Sequence, residues 1–433
     1  MQNRFELVCW VNNLDVRTQV KRRRAVVVEE EFDVAIVGGG VAGLALASAL
    51  ADRGHPTLVL EARKGLTPVK RGMSLAPNGL QVLDRLNLLK PIEEIGRKLR
   101  VVRYLKSSGE LLVAYDYHEL NCKQNYLLSV QPHELETVLR RRAEERGVRL
   151  LEGASFDALL REDGRIIGLR AVSDGTQLNI RAKLIVGADG GRSAVRQAAG
   201  IQAESKPYKS SYLVTVADAL GDASTDEATH YLARGKMLGD FPLPHGRYLF
   251  FYLPAGTFES LKTNSLESFK SNLTQLAPAL KESIQTTKSW VDFSYMIPYK
   301  VKVESWVANN VALIGDAAHS IEPSLGQGGS LALSDVAALL DVLEECFAKA
   351  DFSANALKGY EAARRTQTNS LQRMAELTGM LMNTNSSVLE WLRDRTMSRM
   401  REDAKTKMLA LETATGMKQK ISTAEKLRLA GFL

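Results

Sequence analysis

The sequence predicts an α/β fold in three parts: a domain of alternating strands and helices, a mostly β domain inserted into it, and a helical C-terminal region. Three observations carry this prediction. Residues 33–37 read as a buried strand, 43–53 as a helix and 57–61 as a second strand, with a glycine-rich turn between the first strand and the helix. Two later apolar runs of strand length, near 183–187 and 311–314, each end in a turn that carries an aspartate. Beyond Phe347 strand signals stop, and Leu371, Met374, Ala375, Thr378, Leu381 and Met382 recur at three- and four-residue steps, the spacing of a packed helix face.

The turn of the first unit is Gly38-Gly39-Gly40-Val41-Ala42-Gly43, a GxGxxG pattern. Gly38 permits the tight turn, Gly40 removes a side chain where a pyrophosphate would approach, and Gly43 lets helix and strand pack closely. The helix N-terminus then offers free N–H groups and a partial positive charge to the phosphates. Glu61 closes the second strand where a carboxylate can accept ribose hydroxyls, with Ala62 and Arg63 beside it. The unit is therefore of Rossmann type, but it does not by itself separate one adenine dinucleotide from another.

Two downstream segments make that choice. The run from Lys183 leads into Asp189-Gly190-Gly191-Arg192-Ser193. The run from Val311 leads into Gly315-Asp316-Ala317-Ala318-His319, then Pro323, Gly326, Gln327, Gly328, Gly329 and Ser330. In order and spacing these resemble the DG and GD motifs of the group A flavoprotein monooxygenases, the aromatic hydroxylases with the p-hydroxybenzoate hydroxylase-like fold. The resemblance spans roughly residues 32–345. It implies a glutathione-reductase-like FAD-binding domain with an inserted β-sheet substrate domain and a helical C-terminal segment. It also implies FAD as cofactor, NADH or NADPH as co-substrate, dioxygen, and an aromatic substrate of phenol, quinolone or quinone type. Reduced flavin would add oxygen at C4a, and the hydroperoxide would pass one atom to the ring.

Carried onto this chain, the resemblance gives Asp316 a ribityl hydroxyl, Gly315 room for phosphates, and the glycines 326–329 a flat ring against backbone. Asp189 falls on the pyrophosphate side, although a carboxylate at a strand-to-helix turn is also a helix cap. Arg71, ahead of Gly72-Met73-Ser74, resembles the segment that leads from flavin contact into a helix; Gln131 falls where relatives contact the cofactor. The family usually has Asn where this chain has Ser330, and either residue would cap a helix beginning at Leu331. His319 reads as a packed scaffold residue. His230, His245, Tyr231, Tyr248 and Tyr252 lie in strand-like sequence, where alternate residues face opposite sides, so none is assigned a catalytic role. Alternatives within the superfamily are a prenyl-chain reductase and a flavin halogenase, although the nearest stretch to a WxWxIP signature, Phe293-Ser294-Tyr295-Met296-Ile297-Pro298, lacks both tryptophans. A non-enzymatic FAD-binding protein is the third.

Composition bounds the rest. With 433 residues, 45% of them hydrophobic, the chain can bury the cores of two joined domains, which excludes disorder as its main theme. The net charge of +7 sits at the ends: six Lys/Arg against four Asp/Glu in residues 1–30, and ten against five in 391–433. A neutral body disfavours a nucleic-acid channel. The basic tail 400–433, rich in Met and Leu, raises peripheral contact with an anionic membrane. Cys9, Cys122 and Cys346 lack paired or metal-ligand spacing, and no run approaches a membrane span, so no metal and a cytoplasmic location are expected. The motifs assign 32–96, 125–205 and 300–345 to the FAD domain, 97–124 and 206–299 to the substrate domain and 346–433 to the helical region. Residues 1–31 are expected to be a disordered extension, and the oligomeric state stays open.

Overall fold

A computed structural model describes residues 28–66, 68–220, 226–418 and 420–429. The expected disordered extension thus falls, through residue 27, outside the described residues. The first strand begins at Val28, ahead of the expected start at Phe32, because residues 28–31 run in register with 178–181: Val28 pairs with Leu178 and Glu31 with Arg181.

The first sheet has a parallel core. Val28–Val37 lies between Thr57–Glu61 and Thr176–Gly187, with Arg149–Glu152 outside the former and Val311–Leu313 outside the latter. Their inner stretches, residues 34–37, 58–60, 184–186 and 311–313, are wholly apolar and buried because both faces are covered there. Helices Val41–Ala51 and Gly328–Lys349 supply much of that cover, burying Leu44, Leu46 and Leu50 and Leu333, Val336 and Leu340 against Val34, Ile36 and Leu184. Leu60, Val37, Gly187 and Leu313 stand abreast, so four strands end at one level.

The second sheet has seven strands in the order Ser294–Met296, Ser210–Ala217, Arg247–Pro254, Lys236–Pro242, Glu227–Ala233, Val101–Lys106, Leu111–Asp116. Its strands alternate strictly between two destinations. Leu213, Leu238, Leu249 and Leu253 face helix Leu266–Leu276, where Phe269, Leu273 and Leu276 meet them. Tyr104, Tyr212, His230, Tyr248 and Phe250 point the other way, into a cavity. Gly239 sits in that second row, and the Phe250 ring folds into the notch it leaves; a Cβ there would come within 2.1 Å of the ring.

The C-terminal helices Ala354–Met382, Ser387–Glu402 and Ala404–Ala414 close the remaining side of this cavity. Arg401 donates to the Leu111 carbonyl at 2.6 Å and Tyr115 to Met400 Sδ at 3.6 Å, which pins the second of these helices to the sheet edge.

Candidate functional site

Because four parallel strands end abreast, the loops after them meet. Gly38–Gly43 follows one, Ala62 and Arg63 the next, Asp189 and Gly190 the third, and Gly315 and Asp316 the fourth. The crevice beyond such strand ends is where open α/β sheets bind ligands. The three motif glycines are required for three different reasons. A Cβ on Gly38, whose φ is +112°, would lie 2.3 Å from the Ala188 carbonyl oxygen, and one on Gly43 would lie 2.0 Å from the Gly38 carbonyl oxygen. Gly40 faces open space: a Cβ there meets nothing within 4 Å. The first intrahelical bond runs from Leu44 N to Gly40 O, so the N–H groups of Val41, Ala42 and Gly43 point out of the helix end, as an anion requires.

Glu61 is buried at the side of this turn. Its Oε2 accepts the Gly39 N–H at 2.9 Å, and its Oε1 accepts the backbone N–H and the Nε of Arg63, both at 2.9 Å. Burial alone would raise its carboxyl, but the Arg63 bonds and charge outweigh it and hold the group below its ordinary value. Arg63 also reaches Glu136 at 3.1 Å. Asp189 is divided between its two expected roles. Oδ2 accepts the N–H groups of Ala194 and Val195 at 2.7 and 3.1 Å, which is the capping role, whereas Oδ1 is buried with no partner. Gln131 stands at the cap position of helix Pro132–Glu145, yet its side chain caps nothing.

The GD segment is built on a buried ionic cluster. His319 Nε2 lies 2.6 Å from Asp335 Oδ2, Arg364 Nε donates to Asp335 Oδ1 at 3.0 Å, and the Gly315 N–H donates to Asp335 Oδ2 at 3.0 Å. Burial would raise Asp335, but His319 and Arg364 together lower it. His319 is thereby a fixed scaffold residue, tilted against Trp306. Asp316, by contrast, has its carboxylate open to the cavity while protein surrounds it, and that enclosure raises its carboxyl, with Asp335 adding to the rise and His319 opposing it.

The expected cap at Ser330 is overturned. Helix Gly328–Lys349 begins before Leu331 because the chain reverses at Gly326, φ +63°, leaving Gly328 and Gly329 free to take helical angles. Ser330 is fully buried inside the first turn, and its Oγ accepts the Ala76 N–H at 2.9 Å. Gln327 holds the cap position and makes no side-chain cap, so the N–H groups of Gly328, Gly329 and Ser330 are left to whatever lies beyond the helix end.

A cavity of about 1580 Å³ joins this helix end to the second sheet. Val41, Arg71, Asp316, Pro323, Gly326, Gly328 and Gly329 line one end of it. Among the described residues no side chain accepts a hydrogen bond from the Arg71 guanidinium, which lies close enough to Tyr248 to act on its phenol. The other end is aromatic. Burial raises the phenols of Tyr104, Tyr115, Tyr117 and Tyr248, Tyr104 to about 12, and lowers His230 to about 4, so these five side chains are uncharged near neutrality. Of the strand residues left open by the sequence, His230 and Tyr248 face the cavity, Tyr231 packs in the core behind the sheet, Tyr252 packs beside Tyr212, and His245 is exposed in a turn.

Sequence reasoning missed Asp335 and Arg364, although an acid and a base at apolar helix positions are a signal of a buried pair. It also read 371–382 as packed face alone, yet Met374, Thr378 and Leu381 line the cavity. The membrane role expected of the tail is unsupported: Met400, Leu409 and Leu411 are buried inward, with Met400 and Leu411 in the cavity wall. Among the described residues no helix is long and apolar enough to cross a membrane.

Comparison with known proteins agrees with this geometry. Residues 31–375 match the family described as an FAD binding domain. The 6-methylpretetramide 4-monooxygenase of Streptomyces rimosus is 30% identical over 82% of this chain and 85% of its own length. The 2-heptyl-3-hydroxy-4(1H)-quinolone synthase of Pseudomonas aeruginosa is 27% identical over 89% and 98%. Among solved structures, PqsL of P. aeruginosa in complex with 2-aminobenzoylacetate superposes with a TM-score of 0.70 at 26% identity, covering 81% of this chain and 99% of that one.

Proposed function

Since the chain belongs to the FAD-binding domain family and is an FAD-dependent monooxygenase, we propose that it hydroxylates an aromatic small molecule of more than one ring, with NADH or NADPH as reductant and dioxygen as oxidant. The observation that carries this reading is the single cavity whose one end is a glycine-built helix terminus and whose other end is an aromatic sheet face. The residues present fit FAD: the open space at Gly40, the two unspent helix ends, and the unpartnered carboxylate of Asp316.

In this reading the N–H groups of Val41, Ala42 and Gly43 hold the pyrophosphate, Glu61 with Arg63 the adenosine ribose, and Asp316 a ribityl hydroxyl, with Asp189 and Gly190 shaping the pyrophosphate side. Gly326, Gly328 and Gly329, with Pro323 and Arg71, would hold the planar ring system, and Gln131 would contribute from the start of its helix. The bound flavin supplies the redox and oxygen chemistry. The protein supplies orientation and a dry site. The free N–H groups at Gly328–Ser330 would favour negative charge on a group held at this helix end, and so the reduced form of the cofactor. The neutral aromatic end excludes water from the reacting ring. This division also assigns the parallel-sheet segments to the cofactor domain and the seven-stranded sheet to the substrate domain, closed by the C-terminal helices.

The test is direct. Purified protein should carry about one FAD per chain, and a multi-ring phenol should accelerate its oxidation of NADH or NADPH. A folded chain that stays colourless and takes up no added FAD refutes the proposal.

A further inference from the structure

The aromatic end of the cavity holds one side chain whose chemistry the fold does not use. His230 lies in the middle of Glu227–Ala233, is 4% exposed, and lines the cavity. Its neighbours are rings: Tyr104 stacks on it at 4.5 Å and 4°, and Phe241 and Phe250 meet it edge-on at 5.5 and 5.6 Å. Its Nδ1 is buried without a hydrogen-bond partner. A buried polar nitrogen left unpaired costs about 1–3 kcal/mol, so proteins rarely keep one where a second phenyl ring would pack as well. Gly239 sharpens the point, because only a residue without a side chain lets Phe250 fold over beside this imidazole.

We propose that His230 is the polar anchor of the substrate chamber, holding a hydroxyl or keto oxygen of a neutral fused-ring aromatic through a ring nitrogen. The proposal rests on the reading of this chamber as the substrate end of a monooxygenase. A neutral imidazole carries one N–H and one bare nitrogen, so it can give a hydrogen bond to a ketone or phenol and take one from a phenol. The groups packed on this imidazole are all uncharged rings, which disfavours an anion beside it. Arg393, the buried cation of the chamber wall, is already paired with Asp394 at 2.7 Å and with the Met382 carbonyl oxygen at 3.3 Å. Volume argues for more than one ring: about 1580 Å³ exceeds the roughly 300–1,000 Å³ of ordinary ligand pockets. A flavin ring would account for part of the excess.

The test uses the FAD-loaded, oxidised enzyme titrated with three probes, 2-naphthol, naphthalene and 2-naphthoate, followed by the change in flavin absorbance. The parent should bind naphthol on the order of tenfold more tightly than naphthalene, and more tightly than naphthoate. His230→Phe should bring the naphthol-to-naphthalene ratio to about one while leaving naphthalene binding in place, and His230→Gln should recover part of the preference. A preference unchanged in the Phe variant overturns the proposal, as does a parent that favours naphthoate or binds none of the three. If the Phe variant does not load FAD, the Gln variant and the parent's own ratios decide. A parent that takes up no FAD refutes the proposed function instead, so the two failures are distinguishable.

Discussion

Replacing Gly40 by Ala should separate the cofactor's requirement from the fold's. The backbone at Gly40 has φ −82° and ψ −174°, which any residue adopts, and the added Cβ meets nothing within 4 Å. At a helix cap Ala is worse than Gly by up to about 1 kcal/mol. Loss of unfolded-chain entropy returns about 0.4–1 kcal/mol. The apoprotein should therefore melt within a degree or two of the parent. The methyl group instead occupies the space a pyrophosphate needs, and overpacking of that kind costs about 1–3 kcal/mol, or roughly 5- to 150-fold in Kd. Gly43→Ala is the contrast: its Cβ would lie 2.0 Å from a backbone oxygen, so helix and strand must part and the apoprotein itself should fail. Apoprotein melting and FAD titration by flavin fluorescence quenching read both effects. A Gly40→Ala protein that binds FAD within twofold of the parent, or whose apoprotein is as damaged as that of Gly43→Ala, would refute the reasoning.

Ser330→Ala should cost about 1–3 kcal/mol in urea unfolding because it strands the buried Ala76 N–H, and Ser330→Asn should be no milder, since Gly79 already approaches Ser330 to 2.8 Å for a built Cβ; a silent Asn variant would restore the capping role. Asp335→Asn should cost about 3–5 kcal/mol by leaving the buried Arg364 without its carboxylate, and an unfolding midpoint like the parent's would show that the cluster is not structural. Glu322 is buried against Tyr212, and burial raises its carboxyl above 4.5. A carboxyl raised in the folded state binds its proton more tightly there than when unfolded, so stability falls as pH rises through the folded value. Glu322→Gln should flatten the melting temperature from pH 4.5 toward neutrality; parallel curves for parent and variant would remove the account. Gly239→Ala should push the Phe250 ring, cost about 1–3 kcal/mol and weaken aromatic binding while FAD content holds, and unchanged aromatic affinity would argue against the notch.

The parallel-sheet half was the more legible because its requirements are backbone requirements. Gly38, Gly43 and Gly326 are written into the chain as glycine, and strands that end abreast bring their loops together whatever the side chains between them. Ser330 was misread because Ser caps helices in general, whereas the start of this helix is set by the reversal at Gly326, four residues earlier in the chain than Ser330. The seven-stranded half was less legible. A period of two shows that Tyr248 and Leu249 face opposite ways, but not which face is core and which is cavity, since both are apolar. The same ambiguity hid Met374, Met397 and Leu411: helical spacing marks an inward face, and only the assembled fold shows that inward there means toward a cavity.

Oxygen transfer is the central claim, and isotopic labelling tests it most directly. The FAD-loaded protein is supplied with NADH or NADPH, labelled dioxygen, and whichever fused-ring phenol binds it most tightly. The account predicts a hydroxylated ring that contains one atom from the labelled gas and none from water. A ring product whose new oxygen comes from water, or reductant consumed by a saturating phenol with hydrogen peroxide as the sole oxygen product, would contradict it.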